Sequence, residues 1–342
     1  MFPFATPNNP EKLFQATYVW MSRGGVFRYK IYTLSSLNAD GDFDNPDLYP
    51  TGTFDGSSTG DAEVGSSDLR IKPCAVYRDV DGVGVFVLCD IDTAETPRAN
   101  LLTLIENRKV FGAESCWFGF EQEYFLLPFE SESEQDAFHY CSPTSETIPQ
   151  HHYNECRQMG VHITGWNCEV APNQYEFQVC AAGVSAADDL IMARWVLLRV
   201  CQEHDKGLLL VPKPIPVYNG SGLHTNFSTP QMRTSPGGWS TMLKSVGLLR
   251  DRHNEHMEVY GDGNEERLSG MYETSAFDTF SWGIGSRDTS VRLQKVMKGE
   301  DKGFIEDRRP ASNANPYVVC YALVNTCVLD LSVYTNAVLE PL

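Results

Sequence analysis

No stretch of this sequence approaches the roughly 18 consecutive apolar residues that a membrane-spanning helix needs. The most promising run, 193–201, is broken by Arg194 and Arg199. Positive charge is also scarce: 27 Lys and Arg stand against 45 Asp and Glu, a net charge of −18. A field of that sign repels phosphate backbones and anionic lipid, so neither nucleic acid nor a membrane is expected as the main partner. The first ten residues have no basic start and no apolar stretch. No secretory signal is therefore expected, and the expected setting is cytoplasmic. Ten cysteines are present, but none forms a C-x-x-C pair, and several sit in apolar runs such as Val85 to Cys89. Reduced core thiols are expected rather than disulfides or zinc ligands. There is no G-x-x-x-x-G-K-[ST], no G-x-G-x-x-G between strand and helix, no internal repeat and no low-complexity tail.

What is present supports a large folded core. The 342 residues are 42% hydrophobic, with 18 Phe, 15 Tyr and 6 Trp. That length exceeds one ordinary core and suits two domains. Residues 16–20 and 26–34 are rich in aromatic and β-branched side chains and flank Gly24-Gly25, which predicts two strands and a turn. Residues 72–77 and 83–89 predict two more strands. A boundary falls near Thr96-Pro97, giving a β-rich domain at 1–97 and a second domain at 98–342. Residues 99–110 read as helix, and strands alternate with helices from 116 onward. Ser185-Ala-Ala-Asp188 resembles a capping box opening a helix that ends near Lys206-Gly207. A second helix is expected over roughly 239–260, with His253 and His256 on a solvated or half-buried face. The acidic stretch 130–136 reads as a loop, and Asp40-x-Asp42-x-Asp44 as a polar turn, since Asn45 and Thr51 replace key calcium-loop residues.

The chemistry concentrates in carboxylates placed inside apolar strands. Glu121 and Glu123 lie two apart in Cys116 to Leu127, so a strand points both to one face and Phe120, Gln122 and Tyr124 to the other. Such like charges cost several kcal/mol unless a cation compensates. Glu169 and Glu176 flank a Pro172-Asn173 turn signal, and a hairpin there brings both to one mouth. Glu306 precedes Arg308 and Arg309, and His224 lies on the glycine-rich segment 220–226. Hard oxygen ligands favour Mg2+ or Mn2+ over zinc. Arg267, Arg287, Arg292 and Arg308 supply forks for carboxylate or phosphate. An anionic substrate and a metal–nucleotide are the ligands this pattern suits.

Seven segments resemble the eukaryotic-type (type II) glutamine synthetase family. They are Phe54-Asp-Gly-Ser-Ser-Thr-Gly60, Trp117-Phe-Gly-Phe-Glu-Gln-Glu-Tyr124, the run from Glu169 to Gln178, Lys213-Pro-Ile-Pro216, the run from Asn219 to Thr229, Arg267-Leu-Ser-Gly-Met-Tyr-Glu-Thr274, and Glu306-Asp-Arg-Arg-Pro-Ala-Ser312. The resemblance implies an α+β fold, with an N-terminal β-grasp domain followed by a catalytic antiparallel sheet with flanking helices. It implies ATP-dependent joining of L-glutamate and ammonia through γ-glutamyl phosphate. It also implies a homodecamer of two stacked pentameric rings with shared sites. By position, Glu121, Glu123, Glu169, Glu176, His224 and Glu306 are the expected ligands of two or three Mg2+ or Mn2+ ions. Asn219, Gly220 and Arg267 are expected at glutamate, with Arg287 and Arg308 between it and the γ-phosphate. Trp117, Asn226, Ser228, Arg233, Arg292 and Phe304 are expected at ATP. Asp55, from a neighbouring subunit, would take a proton from ammonium beside Ser58 and Tyr140, under a flap carrying Glu273.

Three positions depart from the family pattern. Tyr272 replaces the usual His before the flap glutamate, Phe304 replaces a Tyr, and the stretch 128–150 is shorter. None removes an expected ligand or Asp55, so an active enzyme is expected. Two rivals are a γ-glutamyl-polyamine ligase and a non-catalytic relative. The intact ammonium set argues against the first, and the complete ligand set against the second.

Overall fold

The computed structural model describes residues 13–35, 43–80, 84–93, 95–107, 116–129, 140–141 and 147–331. The chain divides into two compact units. One holds the described residues up to Thr96 together with Glu155–Val161; the other holds Pro97–Asn154 and His162 onward.

The first unit is a five-stranded mixed sheet. Its strands are β1 (Leu13–Ser22), β2 (Val26–Ser35), β3 (Gly52–Asp55), β4 (Asp68–Arg78) and β5 (Gly84–Ile91), in the order β2-β1-β5-β4-β3. The central pair β1–β5 is parallel, and the other pairs are antiparallel. Alternation places Ala16, Tyr18 and Trp20 of β1 in one core with Val85, Val87 and Cys89 of β5, joined by Phe54 and Ile71. Gly24 and Gly25 turn the chain between β1 and β2 at φ +77° and +74°. A Cβ there would meet nothing within 4 Å, so the conformation and not the space calls for glycine.

The second unit is built on an eight-stranded sheet flanked by helices. After helix α1 (Pro97–Asn107) come strand β6 (Trp117–Leu127), helix α2 (Thr147–Met159, of which the residues from Glu155 group with the first unit), strands β7 (Ile163–Cys168) and β8 (Gln174–Ala182), and helix α3 (Val184–Glu203). Strands β9 (Gly207–Leu209) and β10 (Leu223–Ser228) follow, then helices α4 (Gly238–Asp251), α5 (His253–Met257) and α6 (Asn264–Arg267). Strands β11 (Trp282–Ile284) and β12 (Val291–Leu293), helix α7 (Lys295–Glu300), strand β13 (Ile305–Asp307) and helix α8 (Pro316–Cys327) complete it. The sheet runs β11-β12-β13-β10-β6-β8-β7, with β9 paired to the far end of β6. Only β11–β12 is parallel among these pairs.

Long strand β6 sits between β10 and β8, and its two faces differ. Phe118, Phe120, Gln122 and Tyr124 are fully buried on one side. Burial of each aromatic there contributes about 2–3 kcal/mol. Gln122 is not an error in that core. Its Oε1 accepts from Arg194 Nε of α3 at 2.7 Å, and Arg194 also donates to the carbonyls of Ser312 (2.9 Å) and Ala314 (3.1 Å). The opposite face carries Glu121 and Glu123.

Three local expectations are corrected. Helix α3 opens at Val184 after Gly183, whose φ is +61°, without a side-chain cap, so Ser185 is already inside the helix. The expected helix over 239–260 is two helices, broken at Arg252 (φ −116°, ψ 23°), whose guanidinium binds the carbonyl and carboxylate of Asp330. That break turns His253 and His256 inward, so neither lies on a solvated face. His256 Nδ1 meets Tyr260 Oη at 2.6 Å and Nε2 meets Thr326 Oγ1 at 2.8 Å, within a cluster containing the fully buried Asp307–Arg309 pair. Residues 130–136 and Asp40 and Asp42 lie outside the described residues.

Candidate active site

Strand register assembles the acidic floor of one cavity of about 320 Å³. Glu123 of β6 stands opposite Glu176 of β8, and Glu121 stands opposite His224 of β10. Glu169 follows β7 on a tight turn in which Glu169 N–H donates to Gln174 O at 2.9 Å and Asn173 adopts φ +58°. Two sets result, each with its donor atoms within 4.8 Å of one another. One is Glu121, Glu176 and His224; the other is Glu123, Glu169 and Glu176. Glu176 belongs to both.

Burial makes these carboxylates hard to ionise together. The Glu169 carboxyl is pushed up to about 8, first by burial and then by the charge of Glu123. Glu176 is raised well above the usual carboxylate range by burial and then by Glu121, Glu169 and Glu123. Among the described residues no Lys or Arg forms an ion pair with Glu123, Glu169 or Glu176. His224 is pushed down to about 3 by burial, with Arg308 adding to the effect, so its imidazole is neutral. Arg267 Nη2 lies 3.1 Å from His224 Nε2, which therefore accepts. Oxygen donors with uncompensated charge and a neutral imidazole are the donor set a divalent cation requires. The residues fit such an ion.

Polar neighbours orient the donors. Asn226 Nδ2 donates to Glu121 Oε1 at 2.7 Å, and Gly222 N–H to Glu123 Oε2 at 2.6 Å. Asn167 Nδ2 donates to Glu169 Oε1 at 3.0 Å, while Gln178 Nε2 donates to Glu176 Oε1 at 2.5 Å and to Asn167 Oδ1 at 2.7 Å. Asn167 and Gln178 line the cavity and were missed in the sequence. Gln178 lies two positions from Glu176 on β8, where strand alternation gives it the same face, whereas Asn167 ends β7 and meets Glu169 only across the turn that follows.

Arginines supply the opposing wall. Glu306 is buried, but its two oxygens are taken by Arg292 Nη1 (2.8 Å) and Arg308 Nη1 (2.5 Å). It lines the same cavity without joining either three-residue set. Arg267 is buried with Nη2 donating to Arg308 O (2.9 Å) and Nη1 to Arg309 O (3.2 Å). A Cβ on Gly222 would fall 2.5 Å from Arg267 Nη2, and one on Gly220 2.7 Å from its Cγ. Both glycines leave room for Arg267 against the backbone, and Gly220 also for the carbonyl of Pro212, 2.5 Å from such a Cβ. Arg287 and Tyr140 stand together on the outer rim, with Arg287 Cζ 5.7 Å from the Tyr140 ring centre. Asn219 Nδ2 donates to Glu273 Oε2 at 3.3 Å, and Arg308 Nη2 to Glu273 O at 3.4 Å.

The remaining expected site residues lie elsewhere. Trp117 is exposed at the start of β6, opposite Ser228, and Arg233 Nη1 donates to Ser228 Oγ (2.8 Å) and O (2.9 Å). Half-buried Phe304 precedes β13. Trp117, Asn226, Ser228, Arg233 and Phe304 do not line the cavity. Asp55 and Ser58 belong to the first unit. There Asp55 accepts from Ser57 Oγ and Ser58 Oγ, each at 2.7 Å, and these bonds, Ser57 first, hold its carboxyl down to about 2.

Fold and cavity together define an α+β enzyme site in which buried acids face arginines across an anion-sized space. Residues 94–236 match the glutamine synthetase catalytic domain. The chain is 39% identical over 339 residues to the glutamine synthetase nodule isozyme of Lupinus luteus, covering 92% of this chain and 94% of that protein. It is 39% identical over 341 residues to the glutamine synthetase cytosolic isozyme of Daucus carota, covering 92% and 95%. The structure of Plasmodium falciparum glutamine synthetase shares the fold at a TM-score of 0.74 and 16% identity, over 94% of this chain and 73% of that one. The chain belongs to the glutamine synthetase family.

Proposed function

We propose that this chain is a glutamate–ammonia ligase, forming L-glutamine from L-glutamate and ammonia at the expense of ATP. The observation that carries this reading is the pair of acid sets sharing Glu176, set opposite Arg267, Arg287, Arg292 and Arg308 in one cavity. In the first step the γ-carboxylate oxygen attacks the γ-phosphorus of ATP, and ADP leaves with the electron pair of the broken P–O bond. In the second step the nitrogen lone pair of ammonia attacks the γ-carbonyl carbon, phosphate leaves, and the nitrogen gives up a proton.

Each group then has a task. Glu121, Glu176 and His224 would hold one divalent cation and Glu123, Glu169 and Glu176 another, with Glu306 nearby; Mg2+ and Mn2+ suit these donors. When bound, the cations neutralise phosphate charge and polarise the transferring phosphoryl group. Asn219, Gly220 and Arg267 form the glutamate end. Arg287 and Arg308 stabilise negative charge on the transferring group, which needs positioned cationic donors more than it needs covalent chemistry. Arg292, Asn226, Ser228 and Arg233 serve the nucleotide phosphates, with Trp117 and Phe304 offering ring faces to the base. Asp55 stays ionised under its two serine bonds. It attracts ammonium readily, but accepting the proton requires those bonds to be given up, because a carboxyl held near 2 is a weak base. Glu273 closes the cavity against water, which would hydrolyse the acyl phosphate.

The family resemblance supports a ring assembly of two stacked pentamers, in which a neighbour brings Asp55 and Ser58 to the cavity. Sedimentation at working concentration tests it. A cytoplasmic setting fits ten free thiols and the cytosolic carrot relative, although an Arabidopsis thaliana relative is named chloroplastic/mitochondrial. The direct test of the reaction is a hydroxylamine trap with Mg-ATP and glutamate. The expected result is γ-glutamyl hydroxamate. Absence of both hydroxamate and glutamate-dependent ADP release overturns the ligase reading.

A further inference from the structure

The flap bearing Glu273 is well tied at its base and poorly tied at its tip. Ser269 and Ala276 form a bridge, and Phe277 N–H donates to Leu268 O at 2.8 Å. Thr274 Oγ1 adds bonds to Arg267 O (3.2 Å) and Met271 O (2.8 Å). Beyond that base, Tyr272 and Glu273 both adopt left-handed backbone, at φ +55° and +60°. Non-glycine residues avoid this region, so two in succession need outside contacts to stay there.

Arg308 Nη2 supplies one of those contacts, to the Glu273 carbonyl at 3.4 Å, and the others come from the segment 211–219. Pro212, Pro214 and Pro216 restrict the backbone around Lys213. Lys213 Nζ donates to the carbonyl of Tyr218, which fixes the side chain of a half-buried lysine. The same ammonium stands 4.0 Å from the centre of the Tyr272 ring, well inside the roughly 6 Å reach of a cation–π contact. From the end of this segment, Asn219 bonds the Glu273 carboxylate. Adjacent flap residues are therefore held by two residues of one stiff segment, which itself leads into the glutamate end of the cavity.

We infer that Lys213 and Tyr272 form a latch, a cation seated on an aromatic face, that holds Glu273 over the cavity, making Tyr272 a positioning residue for the ligase reaction. The latch depends on the ligase reading only for its chemical consequence. With the flap loosened, water reaches the acyl phosphate, and ATP is consumed without glutamine.

Two readouts on the full-length protein test this. The first is amide hydrogen exchange across residues 269–276 without substrate. Tyr272→Ala and Lys213→Met are expected to speed exchange there by about 3- to 30-fold, and the double variant no more than the larger single change. Tyr272→Phe keeps the ring and is expected to restore slow exchange. The second is the ratio of ADP released to glutamine formed, expected to rise in Tyr272→Ala and Lys213→Met while Tyr272→Phe stays within about twofold of the parent. Unchanged flap exchange in Tyr272→Ala, or fully additive effects in the double variant, overturns the latch. Faster exchange in a protein that makes no glutamine or hydroxamate supports the latch and overturns the ligase reading instead.

Discussion

The floor of the cavity and its rim are made of opposite materials. Glu123, Glu169, Glu176 and His224 are each less than one-tenth exposed and ride on strands or on the tight turn between β7 and β8. Tyr140, Tyr272, Glu273 and Arg287 are exposed and lie outside regular elements. Strand pairing fixes the floor to within a hydrogen bond, and burial leaves like charges with little water to screen them. Rim groups keep their solvation and their freedom. The comparison separates the two jobs of such a site: holding cations needs a precise and electrostatically costly floor, while admitting and covering substrate needs a rim that can yield.

Breaking the floor at its shared residue has the largest expected effect. Glu176→Gln removes one charge from both acid sets, so kcat is expected to fall by roughly 10³-fold. Isothermal titration with Mn2+ should show both sites weakened, whereas Glu121→Gln weakens one. Because glutamine is neutral without having to take up a proton on burial, the same variant should melt higher than the parent at neutral pH when cation-free. A lower cation-free melting temperature would contradict the electrostatic account of the floor.

The next effect is on stability against pH. Burial raises Glu169 from an ordinary value of 4.5 to about 8, and raises Glu176 as well. Between those values the folded chain holds protons that the unfolded chain has lost, so cation-free stability falls as pH rises from about 4.5 to 8. For Glu169 alone the loss is about 4–5 kcal/mol, and saturating Mg2+ should flatten it. Thermal melts across this range, with and without the ion, provide the check.

A smaller effect tests the packing beneath the floor. Gly222→Ala drives a Cβ to 2.5 Å from Arg267 Nη2, which must shift away from His224 and the carbonyl of Arg308. A destabilisation of about 1–3 kcal/mol is expected from chemical unfolding. The smallest effect belongs to the rim. Tyr140→Phe removes the hydroxyl that bonds Arg287, whose guanidinium is held above its usual range in part by that bond. It should raise the KM for glutamate by less than about fivefold and leave the melting temperature unchanged. A rim substitution that cost as much as Glu176→Gln would erase the distinction between floor and rim.

Much of the floor was legible in advance because its signals are local. Two acids spaced two apart in an apolar run must share a strand face, and β6 carries Glu121 and Glu123 that way while burying Phe120, Gln122 and Tyr124 behind. The turn at Pro172-Asn173 likewise brings Glu169 and Glu176 together. Helix ends were less legible. Ser185 offered a good cap, but Gly183 opens α3 instead, and the start of α4 is capped by distant Asp301, which accepts from Gly237 N–H at 2.7 Å and Trp239 N–H at 3.1 Å. His253 and His256 looked peripheral because nothing in their own segment announces the break at Arg252.

The sequence by itself determined that acids are embedded in strands, that arginines follow them in the chain, and that the net charge opposes phosphate binding by a broadly basic surface. Period-two alternation and composition suffice for those statements, since both act over a few residues. Only the tertiary structure decided that Glu176 serves two acid sets, that Glu306 is engaged by Arg292 and Arg308, and that Gly220 and Gly222 make room for Arg267. Each depends on which strands lie side by side and in what register. That choice is set by the packing of β6, β8, β10 and β13 as a whole, and no short stretch of chain encodes it.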